Sequence, residues 1–188
     1  FNFNPNNFHF ENGKLYYDRN EILQDSYVLA HLSACGFVKV GDIFYYPQLN
    51  VKFKETAWGI FEIFCMKYYD IDVQGREVID IGASIGDSAI WFAIKGAKHV
   101  YAFEPLPNVY LEAINNIKLN NLEDKVTLIN AAVGSKDGEV KVPSYVKIED
   151  SEMYSVNNHG DVKVPLYSIE TIRKNISDPY LIKMDCEG

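Results

Sequence analysis

The chain has 188 residues, which is enough for one α/β domain with a short extension. No apolar stretch approaches the ~20 residues that span a bilayer, so we expect no membrane partner. The formal net charge is −8 without a visible Lys/Arg cluster, which argues against a nucleic-acid partner because phosphate binding needs such clusters. Cys35, Cys65 and Cys186 form no C-x-x-C pair, so we expect unpaired thiols in a reducing, cytoplasmic environment.

The first 70 residues predict an N-terminal helical and hairpin extension. Apolar residues in this part alternate between the spacing of helices and the spacing of strands. The pattern predicts loop or short strand over 1–20, a helix over 21–34, strands within 37–54, and a second helix over 55–69.

From Gly75 onwards, short apolar strands alternate with helices, as in a parallel doubly wound sheet. The predicted elements are strands at Glu77–Ile81, His99–Phe103 and Val126–Ile129, and helices at 86–95 and from Pro107. We therefore expect a Rossmann-like α/β domain over 71–188 with a mostly parallel sheet.

The last third of the chain is less regular. The pattern predicts an edge-strand pair from 140–145 and 162–167, a short helix at 168–175, and a fourth buried strand at 180–184. With the chain ending at Gly188, we expect the C-terminal strands of the sheet to be missing. The fourth strand would then be an exposed apolar edge, through which oligomerisation is possible.

In the stretch VIDIGASIGDS, a glycine turn follows the first of these strands. The candidate cofactor-binding residues there are Asp80 just before the turn, and Gly82, Ala83, Ser84 and Gly86 in the turn. Glycine lets a ligand approach the backbone closely, and the following helix begins with unpaired N–H groups that suit an anion. A dinucleotide site needs G-x-G-x-x-G, whereas the spacing here is G-x-x-x-G. An oxidoreductase with a nucleotide cofactor is therefore a disfavoured alternative, and Asp80 before the turn is typical of methyltransferases.

Two further strand ends carry candidate ligands. Glu104 ends the second strand, where a carboxylate can accept hydrogen bonds from both ribose hydroxyls, while Pro105 and Leu106 can cover an adenine face. Asn130 and Ala131 follow the third strand, where an amide can pair with the adenine edge. The alternatives are a solvated acid at Glu104 and an ordinary turn residue at Asn130.

Three blocks of the chain resemble FkbM-type methyltransferases. They read VIDIGASIGDSAIWFAIKGAKHVYAFEPLPNVY, NIKLNNLEDKVTLINAAVGSKDGEV and LIKMDCEG. Their order and spacing match the family over about 78–140 and 181–188. The resemblance implies a class I fold, S-adenosylmethionine as the cofactor, and O-methylation of a small-molecule or saccharide hydroxyl.

The same resemblance places Asp185 beside the transferring methyl group. An alcohol acceptor needs a base, for which Asp185 and Glu187 are the candidates. Asp185 could instead hold the ammonium group of the cofactor, and His159 is a weaker candidate base. We expect no metal, because no set of ligands with suitable spacing is visible. The alternative function is a catalytically inactive cofactor-binding or scaffold module.

Overall fold

The computed structural model describes residues 4–23, 26–151, 153–156 and 159–186. The chain divides into two compact units, Phe1–Tyr69 and Asp70–Gly188. In the described residues no helix is both long and apolar enough to cross a bilayer.

Within its described residues, the first unit contains two three-stranded antiparallel sheets, a 3₁₀ turn and two longer helical segments. One sheet has the order β1-β2-β3 and the other the order β4-β5-β6. A 3₁₀ turn at Pro5–Asn7 is followed by β1 (Phe8–Glu11), β2 (Lys14–Tyr17), β3 (Asn20–Glu21), α1 (Tyr27–Cys35), β4 (Val38–Val40), β5 (Ile43–Tyr46), β6 (Val51–Phe53) and α2 (Trp58–Ile60), which continues as a π-helical turn at Phe61–Cys65.

A tight hairpin and a cap explain where the first elements begin and end. Asn12 and Gly13 both have positive φ, 49° and 79°, as a two-residue turn between β1 and β2 requires. Ser26 begins α1, because its side chain accepts a hydrogen bond from the Leu29 amide. The predicted helix over 21–34 is therefore too long at its start, while Gly36, with a φ of 111°, ends it as expected.

The prediction of unpaired thiols is wrong for two of the three cysteines. Cys35 and Cys65 form a disulfide, with their Cα atoms 5.9 Å apart, and both residues are buried. Cys35 ends α1 and Cys65 ends the π-helical turn, so the packing of these two segments brings the sulfur atoms together. A separation of 30 residues carries no local signal of this pairing. Cys186 is a free, exposed thiol.

The second unit is built on a parallel sheet with the order β13-β7-β8-β9. This arrangement confirms the predicted Rossmann-like α/β fold. Its elements are β7 (Glu77–Ile81), α3 (Asp87–Ile94), β8 (His99–Phe103), α4 (Pro107–Leu119), β9 (Val126–Ile129), β10 (Ala132–Gly134), β11 (Gly138–Val142), α5 (Ile148–Ser151), β12 (Val162–Ser168), α6 (Ile169–Asn175) and β13 (Pro179–Met184).

A smaller sheet of order β10-β12-β11 follows the third parallel strand. β11 pairs antiparallel with β12, and Val140 lies opposite Val164. The predicted pairing of these two segments is thus confirmed, whereas β10, which runs parallel to β12, was not foreseen.

Because β13, β7, β8 and β9 run parallel, their carboxyl ends lie at the same edge of the sheet. All five residues of β7 are buried, and seven of the eight residues of α3 are buried beside it. β13 lies at the edge of the described sheet and exposes Tyr180 and Met184. Oligomerisation through this edge stays a prediction.

Candidate functional site

The turn between β7 and α3 has an unusual backbone held by its neighbours. Gly82, Ser84 and Gly86 have φ values of 76°, 46° and 87°. The amides of Gly82 and Ala83 both donate to the carbonyl of Phe103, each at 3.0 Å, which ties the turn to the end of β8. The turn is therefore shaped before any ligand arrives.

Glycine is required at the first position of this turn. A Cβ on Gly82 would overlap the carbonyl oxygen of Asp185 and approach the Cβ of Cys186 to 3.1 Å. The segment that follows β13 therefore packs directly against the turn. This close approach brings Asp185 to the site, as its position after the fourth strand predicts.

Glu104 faces the turn from the end of β8 and is almost fully buried. Its Oε2 accepts a hydrogen bond from the Ser84 amide at 3.0 Å, and its Oε1 accepts one from the Leu106 amide at 2.9 Å. Burial raises the pKa of Glu104 to about 7, although both hydrogen bonds and the charge of Lys183 oppose the rise. The residue is therefore not the solvated acid of the alternative interpretation.

Asp80 is a buried charge at the base of the turn. Its Oδ2 accepts a hydrogen bond from the Ser88 hydroxyl at 2.6 Å, and its Oδ1 lies 3.1 Å from the Nζ of Lys183. Asp80 thus joins the start of α3 to β13. A buried carboxylate needs such a counter-charge, because its desolvation is costly.

Asn130 is tied to the backbone on the adenine side of the predicted site. Its Nδ2 donates to the carbonyls of Glu104 and Pro105, at 2.8 and 3.0 Å. Both amide hydrogens thus have acceptors within the chain, which leaves Oδ1 as the atom able to accept from an adenine amino group. Leu106 and Ala131 are buried beside it.

The structure therefore gathers most of the predicted site at one edge of the sheet. The turn, Glu104 and Asn130 are joined by the hydrogen bonds above, and Asp185 packs on the turn. Glu187 lies outside the described residues. His159 contributes its carbonyl to the Tyr154 hydroxyl at 3.2 Å, far along the chain in the segment between β11 and β12.

The residues present fit an S-adenosyl cofactor. The hydroxyl oxygen of Ser84 is buried in the turn with no hydrogen-bond partner among the described residues. A buried hydroxyl without a partner is costly, and a polar ligand group at this point would satisfy it. In the described residues no group of three or more His, Cys, Asp or Glu side chains is arranged to hold a metal ion.

Two supporting residues have weaker sequence signals. Asn116 of α4 is fully buried and donates from Nδ2 to the carbonyl of Ile85 at 2.9 Å, which anchors the far side of the turn. Asn108 pairs with the backbone of Val146 through two hydrogen bonds, at 2.8 and 3.0 Å. A polar residue on the inward face of an otherwise apolar helix is the signal that could have identified Asn116.

Comparison with known proteins gives a family match. The model of the family described as the Methyltransferase FkbM domain matches residues 80–188, more than half of the chain. The ribosomal protein L11 methyltransferase of Carboxydothermus hydrogenoformans is 42% identical over 55 residues, which are 29% of this chain and 18% of that protein. Protein arginine N-methyltransferase 6 of Danio rerio is 33% identical over 61 residues, 32% of this chain and 17% of that protein.

Among solved structures, PRMT6 bound to SAH aligns with a TM-score of 0.33 and 24% identity, covering 39% of this chain and 21% of that chain. The chain spans about a fifth of the length of these relatives. The matched family of methyltransferase domains confirms the expectation of S-adenosylmethionine as the cofactor.

The comparisons correct one expectation. By their names, the two curated relatives methylate a ribosomal protein and protein arginine. The expectation of a small-molecule or saccharide acceptor is therefore wrong. It rested on the common activity of the resembled family and on no residue of this chain, because the described cofactor site does not identify the acceptor.

Proposed function

Since this chain belongs to the FkbM family of methyltransferase domains, we propose that it transfers the methyl group of S-adenosylmethionine to a side chain of a protein. One observation supports the cofactor part of this proposal: the buried Glu104 faces the glycine turn and accepts a hydrogen bond from the Ser84 amide. A carboxylate and a glycine turn, held together where the strands of a parallel sheet end, suit a nucleoside that carries an amino-acid group.

In this proposal each group of the site holds one part of the cofactor. Glu104 accepts hydrogen bonds from the ribose hydroxyls, and Asn130 accepts one from the adenine amino group through Oδ1. The Ser84 hydroxyl, which has no hydrogen-bond partner among the described residues, contacts the amino-acid portion. When bound, S-adenosylmethionine supplies an electrophilic methyl group, so the protein positions the acceptor and receives a proton.

Asp185 is our candidate for either of two roles. Its backbone carbonyl packs on Gly82, and this proximity to the cofactor turn supports the assignment. There it accepts the proton of the attacking group, or it binds the ammonium group of the cofactor. Glu187, two residues further on, stays a prediction as a second carboxylate.

The acceptor class is supported by the relatives and by charge. The relatives named above methylate proteins, one of them on arginine nitrogen. The net charge of −8 attracts cationic polypeptides in solution. An arginine-containing polypeptide is therefore the first acceptor to test.

The test is transfer of a radiolabelled methyl group from S-adenosylmethionine to two peptides of equal net charge, one with arginine and one with lysine. We expect label in the arginine peptide, and loss of label with Asp185→Asn. If Asp185→Asn also loses affinity for S-adenosylhomocysteine, the residue belongs to the cofactor site. Binding of S-adenosylhomocysteine without labelling of any peptide or protein mixture contradicts the proposed activity and supports a scaffold module.

A cytoplasmic location stays a prediction from the sequence, and the structure adds an argument against it. Disulfides such as Cys35–Cys65 are rare in cytosolic proteins, where thiols are kept reduced.

A further inference from the structure

Lys183 is a buried lysine at the carboxyl end of β13. Its side chain is only 8% exposed, and in the sheet it lies directly beside Asp80 of β7. A lysine is seldom buried without a specific partner, because its charge loses the stabilisation of water. The position beside the cofactor turn therefore calls for a functional explanation.

The ammonium group of Lys183 makes two short contacts that join different parts of the site. Its Nζ lies 3.1 Å from Oδ1 of Asp80 and donates to the carbonyl of Gly82 at 2.6 Å. One side chain thus neutralises the carboxylate at the base of the turn and holds the first peptide group of the turn itself.

The backbone beyond Lys183 reinforces this junction. The amide of Asp185 donates to the carbonyl of Ile81 at 3.3 Å, and the carbonyl of Asp185 packs on Gly82, where no Cβ fits. The end of β13 is therefore attached to the end of β7 on both sides of Gly82. The position of the glycine turn relative to Asp185 therefore depends on these contacts.

The ammonium group stays charged in this surrounding. Burial alone would lower the pKa of Lys183, but the negative charges of Asp80, Asp87 and Asp185 raise it above its ordinary value. The contact with the Gly82 carbonyl is accordingly a charge-assisted hydrogen bond, which is stronger than a neutral one.

We propose that Lys183 is a positioning residue that sets the glycine turn against Asp185, and that it acts on cofactor affinity through Gly82 independently of its ion pair with Asp80. This inference rests on the proposed function, since it assigns the turn and Asp185 to the cofactor. The competing explanation is purely structural: Lys183 would serve only to neutralise a buried carboxylate.

Two backgrounds separate these explanations. Lys183→Met is introduced into the wild-type chain and into Asp80→Asn, and the affinity for S-adenosylhomocysteine is measured by calorimetry. In the Asp80→Asn background the ion pair between Lys183 and Asp80 is already absent, so its loss cannot explain any further change in affinity. We expect Lys183→Met nevertheless to weaken binding at least tenfold there. A change of less than twofold overturns the proposal.

An exposed pair provides the matched control. Lys163 lies 2.9 Å from Glu139, and both side chains are more than 60% exposed. Lys163→Met in the Glu139→Gln background makes the same pair of changes at an exposed ion pair, and we expect no change in the affinity for S-adenosylhomocysteine. Equal losses in both cycles overturn the proposal.

A measurement on the wild-type chain covers the case in which a variant does not fold. We expect an NMR scalar coupling across the hydrogen bond between the Lys183 ammonium nitrogen and the Gly82 carbonyl carbon, and a shift of that ammonium resonance on saturation with S-adenosylhomocysteine. Absence of either signal overturns the proposal. So does a wild-type chain that fails to bind S-adenosylhomocysteine, whereas failure to methylate a peptide contradicts only the proposed acceptor.

Discussion

Acidification from pH 8 to pH 5.5 should weaken the binding of S-adenosylhomocysteine by neutralising Glu104. Ribose hydroxyls donate hydrogen bonds, so they favour the ionised carboxylate, whereas burial favours the protonated form and brings the pKa to about 7. If only the ionised form binds, the binding-competent fraction falls from about nine-tenths at pH 8 to about 3% at pH 5.5, a loss of roughly thirtyfold in affinity.

The free chain should respond to pH in the opposite direction. The folded-state pKa of about 7 lies above the ordinary value of 4.5, so between these values the folded chain keeps a proton that the unfolded chain has released. The contribution of Glu104 to stability therefore falls as pH rises from 4.5 to 7. The difference in pKa corresponds to about 3 kcal/mol at most.

Calorimetric titrations at pH 5.5, 6.5, 7.5 and 8 at constant ionic strength test the first effect, and urea unfolding of the free chain at the same pH values tests the second. Glu104→Gln is the control, for which we expect weak binding without a slope in this range. A wild-type affinity constant within twofold across the range, or an equal slope in Glu104→Gln, would refute the assignment of Glu104 to the ribose.

Two other predictions concern stability. Gly82→Ala should lower the free energy of unfolding by about 2–5 kcal/mol and abolish cofactor binding, because alanine is strained at this positive φ and its Cβ overlaps the Asp185 carbonyl. Gly75→Ala is the control, because Gly75 has a φ of 69° and open space around it. In denaturant titrations it should show only the cost of the positive φ, about 1–2 kcal/mol. The free energy of unfolding of the double variant Cys35→Ser/Cys65→Ser should be about 3–4 kcal/mol lower than that of the wild-type chain, because the disulfide closes a 30-residue loop. A thiol assay on the oxidised wild-type chain should detect only Cys186. Equal losses in the two glycine variants, or three reactive thiols, would contradict these expectations.

The strands and the turn of the cofactor site could be predicted from the sequence because their signals are local. Short apolar runs predict buried strands such as β7, and the glycine spacing after Ile81 predicts a turn followed by the start of a helix. The carboxyl ends of parallel strands meet at one edge, so Glu104 could be placed opposite the turn from its position alone. The FkbM resemblance adds the identity of the cofactor, which the glycine turn alone leaves open.

Other features depended on the tertiary structure, because they join residues with no local relationship. The register of β13 on β7 places Lys183 beside Asp80, 103 positions earlier, and no periodicity encodes that register. The packing of α1 on the π-helical turn similarly decides the pairing of Cys35 with Cys65. Local patterns thus report which segments are strands, helices and turns, whereas the partner of each buried charge or thiol is decided only when those segments pack.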